Sequence, residues 1–331
     1  MANSDLNAAK KAKKDEFYTQ LSDIENELRH YKEHFRGKTV LCNCDDPRVS
    51  NFFHYFAYQF EALGLKRLIT TCYKNQERDL FSRHDCERAI WLEYLGDRNG
   101  NRVPDPEEIG IRQLEGDGDF RSPECIELLK QADIVVTNPP FSLFREYVAQ
   151  LIKYDKKFLI LGNKNLITKK EIFPLFMQNR IWTGCRGFSG GMWFESEYEG
   201  KTEKVVNGKK LINVPSIWYT NLDHKKRHEE LILFRNYTPE AYPRYVNYDA
   251  IEVSKTEDIP CDYDGLMGVP ITFMDKYNPE QFEIIGVSLV LGNKKPADLP
   301  KDKQGGPAFY LKENGEYRRL YDRIVIRRRV K

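Results

Sequence analysis

The chain has 331 residues, 40% hydrophobic and 31% charged, enough apolar material for one large or two modest domains with a real core. Fifty-two basic against 50 acidic residues leave a net charge of +2, which excludes a tail-driven nucleic-acid binder but leaves room for a locally basic face. No apolar run reaches the roughly 18 residues of a membrane helix. The start, MANSDLNAAKKAKKDEFYT, lacks the apolar centre of a signal peptide. The expectation is a cytoplasmic protein whose seven cysteines are reduced thiols: Cys42 and Cys44 lie close together, but no second pair completes a zinc site.

Residues 1–14 are polar and lysine-rich and read as a mobile basic arm. Leu21, Ile24, Leu28, Tyr31 and Phe35 then alternate spacings of three and four, predicting one helix that stops at Gly37. Thr39–Cys44 reads as a buried strand, 49–63 as a helix ended by Gly64, and Arg67–Thr71 as a second strand. The stretch ERAIWLEYLGDRNGNRV (87–103) suggests a β-hairpin with an Asn-Gly turn, inserted into the alternation. Ser122-Pro123-Glu124 supplies a cap, a proline at the first helical position and an acid in the first turn, announcing a helix to about Gln131. Asp133–Thr137 is then a strand, Phe144–Tyr154 a helix, and Lys157–Leu161 a strand closed by Gly162.

Short connections between apolar strands and helices imply an α/β fold: a mostly parallel sheet with helices on both faces and ligands off the carboxyl ends of its strands. Beyond about residue 184 the pattern changes. Residues 187–212 are glycine-rich and hairpin-like, Ser216–Leu222 is a strand, and 223–331 is rich in Tyr, Pro, Asn and charge. The expected division is the arm, a sheet domain over 15–222, and a smaller, mostly β region over 223–331.

The strongest chemical signal is Asn138-Pro139-Pro140-Phe141, directly after the strand DIVVT. An exocyclic amine on a base is a poor nucleophile because its lone pair is delocalised into the ring. Two acceptors on its two hydrogens pull it toward tetrahedral geometry, and Asn138 Oδ1 with the Pro139 carbonyl can be that pair. The prolines fix the loop in advance, and Phe141 offers a flat face to a base. The bland alternative is a proline-rich turn.

A second candidate is Gly116-Asp117-Gly118-Asp119-Phe120, where an acid and an aromatic can grip and cover an adenine ring; an ordinary acidic turn has the same composition. Asp15–Thr19, before the first helix, and Asp45-Asp46-Pro47, after the first strand, are weaker candidates with equally plain readings as helix entry and solvated turn. No G-x-G-x-x-G follows the first strand and no G-x-x-x-x-G-K-S/T is present, which argues against nicotinamide and P-loop chemistry. The six histidines form no metal signature, so no metal is expected.

Taken in order, DEFYT, CNCDDPRVSNFFHYF, GDGDF, ADIVVTNPPFSLFREY and SIWYTNL resemble the EcoRI-type family of adenine-specific (N6) DNA methyltransferases, from about residue 10 to the C-terminus. The resemblance implies a Rossmann-like class I sheet dependent on S-adenosyl-L-methionine, acting on a flipped adenine in double-stranded DNA. It implies a bacterial or phage-encoded protein, with a cognate restriction endonuclease as a functional rather than physical partner. Carried over position by position, Asn138, Pro139, Pro140 and Phe141 match the catalytic tetrapeptide. Phe17, Tyr18 and Thr19 match the cofactor-touching segment, Asp119 and Phe120 the pair at the cofactor adenine, and Asp45 and Asp46 the first-strand cofactor loop. Here DDPRVSNFF, without glycine, replaces the usual Gly-rich loop, and no acid closes the second strand at LITTC.

Arg318, Arg319, Arg323, Arg327, Arg328 and Arg329, with Lys331, give a basic terminus expected to contact phosphates, so that truncation after Asp322 should mainly weaken DNA binding. Two other readings stand beside this one. NPPF-type loops also serve enzymes acting on RNA bases or protein glutamine amides, and the fold can persist in a catalytically silent DNA-binding relative.

Overall fold

The computed structural model describes residues 18–43, 50–72, 89–101, 104–105, 108–188, 190–195, 204–206, 209–303 and 305–329. Phe17, Asp45, Asp46 and Lys331 therefore lie outside the described residues, as does the arm. Contacts divide the chain into two compact units. The first runs through Lys164 and resumes over Thr183–Asp223; the second joins Asn165–Trp182 to the residues from His224 onward.

In the first unit, β1 (Tyr18–Thr19), α1 (Leu21–Leu28) and α2 (Lys32–Phe35) precede β2 (Thr39–Asn43). The stripe predicted as one helix is two, because Tyr31 leaves the helical region at φ −120°. Its hydroxyl donates to Glu27, 2.8 Å away. Helices α3 (Asn51–Tyr58) and α4 (Phe60–Leu63) follow, the first capped by the Ser50 hydroxyl and the second ended by left-handed Gly64 at φ 61°. Next come β3 (Arg67–Thr71), β4 (Ile90–Tyr94), β5 (Ile109–Gln113), α5 (Pro123–Gln131), β6 (Ile134–Thr137), α6 (Phe144–Lys153) and β7 (Lys157–Asn163). After α7 (Phe173–Met177), which belongs to the second unit, come β8 (Trp182–Thr183), β9 (Met192–Glu195), β10 (Lys204–Val206), β11 (Lys209–Val214) and β12 (Ser216–Thr220).

The apolar strands pair as an eight-stranded sheet in the order β5-β4-β3-β2-β6-β7-β12-β8. Strands β3, β2, β6 and β7 are mutually parallel, and β4 and β12 join them antiparallel. Alternate residues Val40, Cys42, Leu68, Val136 and Leu161 pack with Ile24, Leu28, Phe35, Phe52 and Phe56 of the early helices. On the opposite face Phe144 of α6 lies against Tyr219, with ring centroids 4.9 Å apart. Both faces are thus covered, as an all-apolar parallel strand requires. A separate sheet, β1-β9-β11-β10, pairs Thr19 with Phe194.

Two expectations are corrected here. The hairpin placed at 87–103 instead pairs β4 with β5, so its second strand begins only at Ile109 and the pair extends the main sheet. Asn99 and Gly100 lie in the connecting loop, whose backbone is gathered by Glu108: the carboxylate accepts from the amides of Arg98 and Asn99 at 2.6 and 3.2 Å. Cysteine chemistry also departs from the reading: Cys42, Cys125, Cys185 and Cys261 are free thiols, but Cys72 is disulfide-bonded.

The second unit carries β13 (Ile251–Glu252), β14 (Met267–Pro270), β15 (Phe282–Val287), α8 (Ser288–Leu291), β16 (Tyr310–Glu313), β17 (Glu316–Arg319) and β18 (Arg323–Arg328). Its main sheet runs β13-β14-β18-β15, so β18 is an interior strand, with Ile324, Val325 and Ile326 fully buried. The apolar residues of β18 are therefore part of the core, and loss of everything after Asp322 would unfold this sheet as well as remove the exposed arginines. Arg323 points inward, its guanidinium 2.9 and 2.7 Å from the two oxygens of buried Glu252. The Tyr245 hydroxyl donates to the same carboxylate at 2.5 Å; burial, then the charge of Glu252, pushes its pKa well up. A buried pair of this kind costs most when broken from one side. Arg323→Met should destabilise the second unit by about 3–5 kcal/mol in urea denaturation, and adding Glu252→Leu should return much of that loss.

Candidate active site

Strand order reverses at β2: the chain leaves it toward β3 and returns to β6 on its other side. Connections that depart in opposite directions open a crevice off the carboxyl ends of those two strands, where ligands bind in sheets of this kind. Asn43 closes β2 there, and Thr137 closes β6, delivering Asn138 directly to the crevice.

Asn138 is only 7% exposed. Pro139 is buried beside it, while Pro140 and Phe141 are half-buried. The Leu143 amide donates to the Pro140 carbonyl at 2.9 Å, turning the chain into α6. Phe141 meets Phe194 of β9 edge to face, with centroids 6.3 Å apart. Because Phe194 pairs in register with Thr19, the segment before the first helix is drawn to the same place. Asn51, at the start of α3, donates to the Thr19 carbonyl at 2.8 Å. The buried Thr19 hydroxyl has no hydrogen-bond partner among the described residues. A buried polar atom in that condition is costly unless a ligand completes it.

The loop 115–121 crosses the end of β3. Gly118, at φ 80°, lies so close that a Cβ there would stand 2.2 Å from the Cys72 carbonyl oxygen. Its entry is bent by Glu124, whose carboxylate accepts from the amides of Glu115 and Gly116 at 3.0 Å each. Asp119 is gripped by Arg121 through Nε at 2.9 Å and Nη2 at 2.6 Å. Those bonds hold its carboxyl below the ordinary carboxylate range, against the opposing pull of burial. The tie is therefore present at neutral pH and is lost only as pH falls through that lowered value. Phe120 is buried, edge to face with Tyr147 at 4.9 Å, and its carbonyl accepts from Gln150 at 2.9 Å. Tyr147 in turn donates its hydroxyl to Asn43 Oδ1, and Thr137 donates its own to the Asn43 carbonyl.

Thr19, Asp119, Phe120 and Asn138–Phe141 thus gather around the ends of β3, β2 and β6. Tyr18 is present in β1 by its backbone pairing. Sequence reasoning missed Asn43, Tyr147, Arg121 and Phe194. Asn43 sat unread inside CNC, and Tyr147 lay unsingled within the helix read over Phe144–Tyr154. Among the described residues no cluster of His, Cys, Asp and Glu could hold a metal ion. The arginines belong to the second unit. Arg318 pairs with Glu313 at 2.7 Å and Arg327 with Glu283 at 2.7 Å, both exposed; Arg328 donates to the Cys261 carbonyl, and Arg329 reaches the Pro279 carbonyl at 2.9 Å.

A mostly parallel sheet with this reversal, and an Asn-Pro-Pro-Phe loop delivered to its crevice, defines a class I methyltransferase built for amino groups. The chain belongs to the EcoRI family of adenine-specific methyltransferases: the family described as "Adenine-specific methyltransferase EcoRI" matches residues 5–329. It is similar to the type II methyltransferase M.EcoRI of Escherichia coli, 54% identical over 291 residues, covering 86% of this chain and 89% of that protein. It is 40% identical to M.MgeORF184P of Mycoplasma genitalium, with 85% of each covered, and 39% identical to M.MpnI of Mycoplasma pneumoniae, with 98% of each covered. No solved structure matches the chain. The protein is an adenine-specific DNA methyltransferase.

Gly118→Ala places a side chain against backbone in a left-handed conformation. It should lower stability by about 1–3 kcal/mol, read as a fall in Tm, whereas Gly116→Ala, which meets only the end of Glu124, should cost far less.

Proposed function

We propose that the enzyme transfers a methyl group from S-adenosyl-L-methionine to N6 of an adenine rotated out of double-stranded DNA. The observation that carries this reading is Asn138-Pro139-Pro140-Phe141 at the strand reversal, within one crevice shared with Thr19, Asp119 and Phe120. The residues present suit the cofactor. The uncompleted Thr19 hydroxyl offers a hydrogen bond, the ionised Asp119 an acceptor for an adenine amino group, and Phe120 an apolar wall for its ring. Phe17, Tyr18, Asp45 and Asp46 are assigned to the same pocket by their match to the family's motifs. When bound, S-adenosyl-L-methionine supplies an electrophilic methyl group on a sulfonium.

Asn138 Oδ1 and the Pro139 carbonyl accept the two N6 hydrogens, freeing the nitrogen lone pair for in-line attack. The methyl group that the bound cofactor would supply would replace one N6 hydrogen, whose proton would pass to water. No general base is required. The prolines hold both acceptors in place before the base arrives, so little reorganisation is left for the reaction itself. Phe141, braced by Phe194, stacks on the extruded base; rotation out of the helix is needed because N6 is inaccessible within the duplex.

The second unit is proposed as the target-recognition region, with Arg318, Arg319, Arg327 and Arg329 at phosphates, while Arg323 and Arg328 support the fold. We place the enzyme in the cytoplasm of a bacterium or phage-infected cell, where a cognate restriction endonuclease is its functional partner.

Asn138→Ala should lose about 10²-fold or more in methyl transfer, measured with tritiated cofactor and unmethylated DNA, while S-adenosylhomocysteine still binds. Transfer at the parental rate would remove the loop from the chemistry. Phe141→Ala should weaken capture of the flipped base by about 1–3 kcal/mol. Replacing Arg318 and Arg319 together by alanine should flatten the salt dependence of DNA binding by roughly two units of log–log slope, and an unchanged slope would exclude them as phosphate ligands.

A further inference from the structure

Helix α6 does more than follow the catalytic loop. One of its residues, Tyr147, touches both sides of the crevice: its ring stands 4.9 Å from Phe120 on the cofactor side, and its hydroxyl donates to Asn43 at the end of β2. It is also one turn from the loop, its amide donating at 2.9 Å to Leu143, whose own amide holds Pro140. Asn43 is anchored a second time by Thr137, the residue immediately before Asn138. All four residues are buried, Tyr147 at 2%, Thr137 at 1%, Asn43 at 7% and Phe120 at 7% exposure. The side chain of Asn43 therefore cannot turn without disturbing Tyr147, and its backbone cannot shift without disturbing Thr137. Buried, mutually satisfied polar contacts of this kind specify one arrangement.

From this connection we infer that Tyr147 is a positioning residue that couples the cofactor pocket to the loop that holds the methyl-accepting amine. The inference rests on the reading of Asn138–Phe141 given above. When a ring is laid against Phe120, the Tyr147 ring is held by it; the hydroxyl bond to Asn43 then fixes the turn of α6 that carries Pro140, and the Thr137 bond fixes the other side of Asn138. The geometry of the two N6 acceptors is thereby set from both ends of the loop. A residue with this part acts on the rate of transfer from bound cofactor, whereas a plain pocket wall acts on cofactor affinity.

The test uses the full-length enzyme with DNA from a host lacking it, comparing parent, Tyr147→Phe, Thr137→Val and Asn138→Ala. Single-turnover transfer of tritiated methyl is measured per active site, with sites counted by S-adenosylhomocysteine binding. The expected result for Tyr147→Phe, which keeps the ring and removes only the hydroxyl, is S-adenosylhomocysteine affinity within about threefold of the parent and transfer slowed on the order of tenfold. Thr137→Val should show the same split, and stands in if Tyr147→Phe does not fold. Parental transfer rates in both variants would overturn the inference, as would a raised KM for S-adenosyl-L-methionine with unchanged kcat. A rate loss that disappears on cooling in step with recovered folding would reduce Tyr147 to a structural part and overturn it equally. Undiminished transfer by Asn138→Ala would instead defeat the catalytic reading itself, so the two failures are told apart.

Discussion

The arrangement depends on one topological constraint, the change of direction in strand order at β2. Parallel strands need crossovers, and crossovers that leave one strand toward opposite edges cannot both cover its carboxyl end. The gap that results is where Asn43, Thr137 and Asn138 emerge. Everything assembled there comes from elsewhere in the chain: β1 through its pairing with β9, the 115–121 loop through Gly118 and Glu124, and Phe141 through Phe194. The sheet provides rigidity and the loops provide chemistry, which is why a slack tetrapeptide would serve poorly and one stiffened by two prolines serves well.

Two buried carboxylates among the described residues hold together segments distant in sequence. Glu27 of α1 is completely buried, and its carboxylate accepts from the amides of Cys185 and Arg186 at 2.6 and 2.8 Å, with Gly184 leaving room for it. Glu252 does the corresponding work in the second unit through Arg323 and Tyr245. Each carboxylate has enough donors to offset its desolvation, the condition under which buried ions persist.

Much of the sheet was legible because buried parallel strands are continuous apolar runs; RLITT matches β3 to the residue, and the cap at Ser122 was read correctly. The order of strands was not legible, since hydrogen-bond partners leave no mark on a single strand. Hence the β4–β5 pair was read as a local hairpin, whereas its second strand begins only at Ile109, beyond a turn at Asn99 whose backbone Glu108 gathers. The inward turn of Arg323 was hidden for a related reason. Charge density at the terminus suggested a surface, but Ile324 and Ile326 together with Val325 form an interior strand, and a guanidinium with a buried carboxylate partner looks in sequence like one facing water. At the site, the tetrapeptide announced its chemistry while leaving RNA and protein amides open as substrates; the family match decides for DNA adenine. Tyr147 and Asn43 gave no signal because their meaning lies in a contact across 104 positions.

The two units are interleaved: the chain passes from the first to the second at 164–165, returns at 182–183 and leaves again at 223–224. A single genetic crossover near residue 223 would import a foreign C-terminal body while retaining the native 165–182 excursion, including Thr168, whose hydroxyl bonds Asp322 at 3.1 Å. Chimeras that exchange this body between relatives must therefore be spliced at three joints, or must preserve the side chains with which helix α7 and its flanks meet it. Divergence by gradual substitution is easier for such an architecture than divergence by swapping whole modules.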